Sequence, residues 1–183
     1  GDGDDVLDAT NGTIPVHANG DAGNDTPTGG PANDWLRGGP GDDNLAGGPG
    51  DDMYLFDAAD FIGFDTITEP APEGSATLDF SLTPFNSIGI DLRITDAEQF
   101  VTVDGSLSLL LSDDIENIIG GSHGNALIGD EGINMLQGGG GLDLILGVGG
   151  ADQIFGGDSV DVLQGSSDAM IDGGEGADMT EVS

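Results

Sequence analysis

Large hydrophobic residues recur at a fixed interval between residues 20 and 55, each two places after an acidic residue. Written in nines, this stretch reads GDAGNDTPT, GGPANDWLR, GGPGDDNLA and GGPGDDMYL. The large residues are Leu36, Leu45 and Tyr54, at place eight of the last three lines. Glycine fills most of places one, two and four. The chain therefore contains an internal repeat with a period of nine.

Each repeat predicts a turn followed by a short strand. Glycine at places one, two and four permits positive φ angles and close backbone approach, so places one to six form a turn. Places seven to nine form a strand whose middle residue points inward, because side chains alternate along a strand. Successive turns lie on alternate edges of a flattened coil. We expect Asp25 to stack on Asp43, and Asp34 on Asp52.

The same inward column returns in the last third of the chain. After Ile115 to Ile119, place eight is hydrophobic in six repeats, at Leu127, Leu136, Ile145, Ile154, Leu163 and, allowing for one lost residue, Ile171. Place six holds Asn125, Asn134, Asp143, Asp152, Asp161 and Asp178, with Asp168 or Ala169 in the shortened repeat. His123 and Ser159 stand at place four where glycine belongs, so we expect altered turns there.

The flanking segments follow the period less strictly. Residues 1–8 form one repeat with Asp5 at place six and Leu7 inward. Residues 9–19 predict a coil with a small bulge, in which Ile14 or Val16 points inward. His17 has no metal-ligand partner at useful spacing and is interpreted as a surface residue.

Between the two repeat blocks the period stops. Residues 56–69 predict a compact cap that turns off the end of the first block, and Pro70, Pro72 and Gly74 then break the chain. Residues 75–111 alternate with period two, which favours strands. Asp104 and Gly105 lie between two such strands and predict a hairpin turn. This insert is therefore expected to be antiparallel or mixed β.

The charge of the chain restricts its partners. Among 183 residues, 35 are acidic and two are basic, which gives a net charge of −33. Binding to nucleic acid or to an anionic membrane surface needs clustered lysine and arginine, so both are excluded. No apolar run approaches the roughly twenty residues that would predict membrane insertion. A hydrophobic content of 36% alone would indicate disorder, whereas the repeat indicates a chain that folds when metal neutralises it.

The segments GGPGDDNLA and GGPGDDMYL resemble the repeat-in-toxin (RTX) nonapeptides of secreted bacterial proteins, whose parallel β-roll binds Ca²⁺ between turns. The resemblance implies a calcium site at each pair of same-edge turns. With one ion per adequately liganded pair, about eight to ten Ca²⁺ ions would bind. The implied side-chain ligands are Asp5, Asp25, Asp34, Asp43, Asp52, Asn125, Asn134, Asp143, Asp152, Asp161 and Asp178. The implied backbone carbonyl ligands are Gly29, Gly30, Gly38, Gly39 and Gly41. Sites with asparagine are expected to bind more weakly, because they have less charge.

The resulting fold prediction is all-β. Two parallel β-roll blocks, residues 1–55 and 115–183, flank a cap and β-strand insert at residues 56–114. Outward residues on one face of the second block are apolar, namely Ala126, Ile128, Leu144, Leu146 and Val162. Such a patch needs a cover, so we expect residues 75–111 to pack on it, with a partner subunit as the alternative. Trp35 is expected to face outward, either covering a sheet face, which we favour, or contacting a partner.

No catalytic arrangement can be found in the sequence. It contains no cysteine, no H-E-x-x-H zinc motif and no nucleophile elbow, so we expect no enzyme activity. The favoured function is a calcium-folded structural module of a secreted or cell-surface bacterial protein, such as an adhesin, matrix fibre or layer component. The alternative is a folding and secretion module of an exported enzyme whose catalytic domain lies outside this chain. Self-association or contact with neighbouring domains remains possible in either case.

Overall fold

A computed structural model of the chain describes residues 1–57, 63–69, 74–112 and 114–182. The described residues form nineteen strands and no helix. The strands are β1 (Val6–Asp8), β2 (His17–Asn19), β3 (Thr26–Thr28), β4 (Trp35–Arg37), β5 (Asn44–Ala46), β6 (Met53–Leu55), β7 (Gly63–Thr68), β8 (Thr77–Asp79), β9 (Gly89–Asp91), β10 (Gln99–Phe100), β11 (Leu107–Leu111), β12 (Asn117–Ile119), β13 (Ala126–Ile128), β14 (Met135–Gly139), β15 (Leu144–Leu146), β16 (Gln153–Asp158), β17 (Val162–Gly165), β18 (Met170–Glu175) and β19 (Met179–Val182). Among these residues there is thus no helix long and apolar enough to cross a membrane.

Successive strands of the repeats alternate between two faces of a flattened coil. One face is an eight-stranded sheet in the order β2-β4-β6-β8-β12-β14-β16-β18. The other face consists of a six-stranded sheet, β1-β3-β5-β7-β11-β10, and a five-stranded sheet, β9-β13-β15-β17-β19. Nearly all pairings are parallel, as the nine-residue pattern predicts for a coil in which each strand stacks on the strand two repeats earlier. The prediction of an all-β parallel roll is confirmed.

The middle of the chain continues the stack. Where the sequence predicted a cap, the described residues contain β7, which pairs in parallel with β5, and β8 pairs in parallel with β6 and β12. The prediction of a cap missed these parallel strands because longer turns hide the nonapeptide spacing. Antiparallel pairing occurs between β10 and β11 and at the bridge between Ile88 and Thr102, so the segment is mixed β. The three-part division of the chain stays a prediction.

One column of hydrophobic residues fills the space between the faces. Its members lie at place eight, and the regular ones are 0 or 1% exposed; they are Leu36, Leu45, Tyr54, Leu127, Leu136, Ile145, Ile154 and Leu163. Leu78 and Ile118 extend the column through the middle segment, and Phe56 stacks on Phe80 with ring centroids 4.9 Å apart. Burial of this column supplies the main apolar contribution to stability.

The first coils depart from the predicted inward residues. Ile14 is 71% exposed, and Val16 occupies place six, where its amide donates to Asp34 Oδ1. The inward residue is Ala18, because β2 pairs with β4 in the register that sets Ala18 beside Leu36. The prediction of Ile14 or Val16 was therefore wrong. Leu7 lies in the inward register but is 41% exposed, since its coil is covered on one side only.

Trp35 faces outward, as predicted, and is half exposed. Its ring stacks on His17, with centroids 4.7 Å apart and planes 16° apart. His17 is exposed, in agreement with its interpretation as a surface residue. The two rings meet because β2 and β4 align these residues directly.

The predicted cover of the apolar outer face was wrong. β9 lies edge to edge with β13 in the same sheet, and its Ile90 joins the core beside Leu127. Leu144 therefore stays 41% exposed on the outer face. Residues 75–111 extend the hydrophobic column and do not form a second layer over the outer face, since their inward residues are as apolar as those of the repeats.

A candidate calcium site in the turns

The place-six residues stack along the two edges of the roll, as the sequence predicted. The Asp25 amide donates to Asp43 Oδ1 over 2.7 Å, and the Asp34 amide donates to Asp52 Oδ1 over 2.6 Å. The same bond joins Asp143 to Asp161 over 2.9 Å. Each aspartate thus uses Oδ1 to hold the coil two repeats earlier. Its Oδ2 atom stays on the pocket side, and at Asp34 that atom accepts from the Gly30 amide over 2.7 Å.

That other oxygen has no hydrogen-bond partner at seven buried aspartates. These are Asp25, Asp43, Asp52, Asp65, Asp143, Asp152 and Asp161, each at most 3% exposed. An ionised carboxylate that is buried without a partner is strongly destabilising. Seven such oxygens in one small protein therefore indicate that the turns are built around cations.

Glycine at place one keeps open the space into which these oxygens point. A Cβ at any of eight place-one glycines would lie under 3.0 Å from the Oδ2 atom of the aspartate five residues later; they are Gly20, Gly29, Gly38, Gly47, Gly138, Gly147, Gly156 and Gly173. At Gly20 it would also lie 2.5 Å from the carbonyl oxygen of Gly38 in the next same-edge turn. Carboxylate and carbonyl oxygens thus converge on one small pocket per turn.

Burial raises the pKa of several of these carboxyl groups. It raises the pKa of Asp43 and of Asp52 to about 6, that of Asp143 to about 7, and that of Asp65 to about 8. Hydrogen bonds from backbone amides oppose this effect, and neighbouring carboxylates add to it. Both arginines of the chain pair with other aspartates, Arg37 with Asp57 and Arg93 with Asp91. The pocket carboxylates therefore lack a basic neighbour that would hold them ionised.

The donor set fits calcium. Ca²⁺ takes six to eight oxygen ligands in flexible geometry, and the carboxylates and carbonyls of two stacked turns are ligands of that kind. The described residues contain no group of three His, Cys, Asp or Glu side chains arranged for a metal. The atoms that converge on the pocket at Gly20 are oxygens, which suit a hard cation.

Predicted ligands at the ends of the stack are less buried. Asp5 is exposed and Asp178 is half-buried, although the Asp161 amide donates to Asp178 Oδ1 over 3.0 Å. Among the predicted carbonyl ligands, Gly38 faces the pocket of Gly20 and Asp25, and Gly41 faces Gly63. The carbonyl roles of Gly29, Gly30 and Gly39 stay predictions.

The asparagine turns are closed by hydrogen bonds. Asn125 Nδ2 donates to the Gly138 carbonyl over 2.9 Å and to Asp143 Oδ1 over 3.1 Å. Asn134 Oδ1 accepts from the Asp130 amide over 2.9 Å. The side-chain amide of Asn125 thus donates to the carbonyl oxygen that would otherwise face a cation. These contacts agree with the expectation that asparagine turns bind metal more weakly.

The shortened repeat has no carboxylate at place six. Met170 pairs with Gln153, which sets Ala169, and not Asp168, at that place. The turn before it contains Ser159 with φ 94°, a value that glycine adopts readily and serine rarely. The place-four glycines Gly141 and Gly150 have φ 87° and 71°, so Ser159 keeps the conformation of the regular turn, and the expectation of an altered turn was wrong there.

Three acidic residues of the middle segment were missed by the sequence analysis. Asp65 is 1% exposed and accepts from the Asp43 amide at Oδ1 over 2.9 Å, so it occupies place six. Glu116 Oε2 accepts from the Ala76 amide over 2.7 Å, and Glu69 lies beside Gly47. The sequence around Asp65, D-T-I-T, keeps the acid and the large residue two places later, which is the signal that could have identified it.

Comparison with known proteins agrees with this geometry. The RTX calcium-binding nonapeptide repeat family (four copies) matches residues 19–54, 119–154 and 138–169. A search of curated proteins returned no match to this chain. The matched segments are those in which glycine and aspartate build the pockets. The two repeat segments of this chain are thus RTX calcium-binding nonapeptide repeats.

Proposed function

We propose that this chain is a structural module of a secreted or cell-surface bacterial protein, and that it folds when calcium fills its turns. The observation that carries the proposal is the set of seven buried aspartate oxygens without a partner. The proposed ligands are these oxygens together with the carbonyls of place-one glycines in the next same-edge turn. On one edge they begin with Asp25 and Gly38. On the other edge the Gly47 carbonyl faces Asp34, whose Oδ2 accepts from the Gly30 amide, so the first unpaired oxygen there belongs to Asp52.

The coupling of folding to metal follows from the charge. A compact chain with net charge −33 repels itself, and the pocket carboxylates add a desolvation penalty on folding. Bound Ca²⁺ supplies the positive charge and the coordination that these oxygens lack. Because the pockets form only when two coils stack, binding free energy becomes folding free energy. We therefore propose an expanded metal-free chain and a folded calcium-bound chain.

A calcium-rich medium outside the cell suits such a module. Cytosolic Ca²⁺ is too scarce to fill weak sites, so the chain would fold after export. The eight-stranded sheet runs through the middle segment as well as through both repeat blocks. This continuity favours an extended structural element, such as part of an adhesin, a matrix fibre or a surface layer.

The test is circular dichroism and small-angle X-ray scattering of the chain in EGTA and then in excess Ca²⁺. We expect the β signal to rise and the radius of gyration to fall on addition of Ca²⁺. Equal Mg²⁺ should be much less effective, because Mg²⁺ demands octahedral geometry and retains its waters. A fully folded spectrum in EGTA would overturn the proposal.

Two variants with the same change of charge provide the control. Asp43→Asn alters a buried pocket ligand, whereas Asp168→Asn alters an exposed turn residue. We expect the Ca²⁺ concentration at the folding midpoint to rise several-fold for D43N and to stay unchanged for D168N. Equal shifts in both variants would mean that net charge, and not the pocket, governs folding.

A further inference from the structure

The turn that begins at Gly47 faces an acidic residue in the next same-edge turn, where most regular turns face glycine. In the regular stack, the next same-edge turn begins with glycine, whose carbonyl faces the pocket. Here the next strand on that face is β7, whose Thr66 to Thr68 pair with β5. Glu69 follows β7 directly, so it stands at place one, opposite Gly47.

The same coil lacks its place-six carboxylate. The Thr77 amide donates to the Asp52 carbonyl, which sets Ala76 at place six. A regular coil has glycine at place one and aspartate at place six, whereas this coil has Glu69 and Ala76. The acidic side chain of this turn therefore lies at place one instead of place six.

The relocated carboxylate points into a metal pocket. Glu69 Oε1 lies 2.6 Å from the position of a Cβ on Gly47, and Asp52 Oδ2 converges on the same position. Glu69 is 8% exposed and Asp52 is 1% exposed. Asp52 Oδ2 is buried and has no hydrogen-bond partner. Two carboxylate groups therefore meet in one pocket beside an oxygen that needs a ligand.

Tyr54 holds Glu69 in place. Its hydroxyl donates to Glu69 Oε1 and accepts from the Gly47 amide over 2.7 Å. The Glu69 amide in turn donates to Ser112 Oγ over 2.9 Å. Tyr54 is fully buried at a position where the neighbouring repeats have leucine, so its hydroxyl serves this turn alone.

The charges around Glu69 are all of one sign. Burial, which the hydrogen bond from Tyr54 opposes, and the carboxylates of Asp52, Glu116 and Asp114 together raise its pKa to about 8. Carboxylates this close to one another repel each other. A divalent ion bound to both carboxylates removes the repulsion and satisfies Asp52 Oδ2.

We propose that Glu69 and Asp52 form a two-carboxylate calcium site at Gly47, oriented by the Tyr54 hydroxyl. This site rests on the proposed calcium-dependent function. With two carboxylates in one pocket it binds Ca²⁺ more tightly than the regular turns, since affinity rises with ligand charge. It anchors the first repeat block to the middle segment, at the point where the nonapeptide spacing is lost.

Terbium luminescence tests the site directly, because Tb³⁺ substitutes for Ca²⁺ and is sensitised by a nearby phenol. The chain has a single tyrosine, Tyr54, and a single tryptophan, Trp35. In a Trp35→Phe background, emission on excitation of the phenol reports the pocket beside Tyr54. We expect strong emission that Ca²⁺ displaces. Emission should fall several-fold in W35F/E69Q and stay unchanged in W35F/E181Q, which alters an exposed glutamate.

A second variant guards against misfolding of the first. Glu69→Gly restores the residue that regular turns carry at place one, so it is compatible with the coil while removing the carboxylate. We expect E69G to fold in Ca²⁺, to bind one ion fewer by equilibrium dialysis, and to lose phenol-sensitised emission. Unchanged emission and stoichiometry in E69G would overturn the site. Glu69 would then fill the pocket without binding metal.

The outcome separates this site from the general function. If the wild-type chain does not fold on addition of Ca²⁺, the proposed function fails. If the wild-type, E181Q and E69G chains all fold in Ca²⁺ and bind the same number of ions, only the Glu69 site fails.

Discussion

At the scale of single residues, the identity of place six decides how a turn is closed. Asp43 leaves one buried oxygen unpaired, and Asn125 fills the same space with an amide that donates to the Gly138 carbonyl. Ala169 has neither a carboxylate oxygen nor a side-chain amide. The turns therefore range from those that require a cation to those that are closed by the chain itself. Among the described residues, turns with an unpaired aspartate oxygen lie in both repeat blocks and, at Asp65, in the middle segment, and the asparagine turns lie at the start of the second block.

A methyl group at place one should remove a calcium pocket. In Gly20→Ala, the Cβ would overlap Asp25 Oδ2 and the Gly38 carbonyl, so we expect one ion fewer per chain and a higher Ca²⁺ midpoint for folding. Isothermal titration calorimetry measures both. Gly89→Ala is the matched control, because a Cβ at Gly89 meets nothing within 4 Å. Equal binding by the two variants would mean that the pocket at Gly20 holds no metal.

Sequence reasoning predicted the regular site residues and missed those whose spacing is altered. Asp25 and Asp43 are eighteen residues apart, and their stacking follows from the period alone. Asp43 and Asp65 are twenty-two apart, because the turn between them is longer. Hydrogen bonding fixes the end of a turn but not its length. Asp65 could have been found from the acid and the large residue two places later, whereas Glu69, at place one, is identified only when strand pairing is known.

At the scale of the strand, three residues contribute one inward side chain. Leu45 is 0% exposed at the centre of β5, whereas Leu144 on the outer face of β15 is 41% exposed. The hydrophobic column was predicted correctly in the regular repeats of both blocks, but not in the coil before them, where Ala18 takes the inward place predicted for Ile14 or Val16. The predicted cover of the outer face was wrong, because β9 uses Ile90 to extend the column. Alternation shows which residues face inward, but it does not show whether a strand joins a sheet or packs on it.

The column should dominate the stability of the calcium-bound state. Leu45→Ala leaves a cavity in the fully buried column, and we expect a loss of about 2–5 kcal/mol in the free energy of unfolding. Leu144→Ala removes partly exposed surface, and we expect a loss of about 1 kcal/mol or less. Urea unfolding in saturating Ca²⁺ measures both. A larger loss for L144A would indicate that the outer face is covered by another copy of the chain in solution.

At the scale of the whole molecule, the metal-free fold and the calcium-bound fold should respond to pH in opposite ways. The pKa values of Asp43, Asp65, Asp143 and Glu69 are raised in the folded chain to between about 6 and about 8. The folded state therefore binds more protons than the unfolded state in this range. Its metal-free stability is greatest near the ordinary carboxyl pKa and falls as pH rises through the raised values.

We accordingly expect the chain in EGTA to gain β structure between about pH 8 and about pH 5. Protons and Ca²⁺ compete for the same oxygens, so the Ca²⁺ midpoint should fall as pH rises over that interval. Circular dichroism titrations at fixed pH values measure both trends. Repeating the EGTA series at high salt is the control, since salt screens exposed charges far more than buried ones. Loss of the pH dependence at high salt would assign it to surface repulsion.

The face of the roll that consists of the six-stranded and the five-stranded sheet offers a site for protein engineering. The eight-stranded sheet keeps its parallel register through β8 and β12, while the opposite face accommodates β10 and the hairpin at Asp104 and Gly105. Val103 beside that hairpin is 93% exposed. A foreign peptide inserted between Asp104 and Gly105 would project into solvent and leave the continuous sheet and the repeat pockets intact. The roll is thus a scaffold on which a guest loop can be displayed, and under the proposed calcium-dependent folding Ca²⁺ would control when the loop is presented.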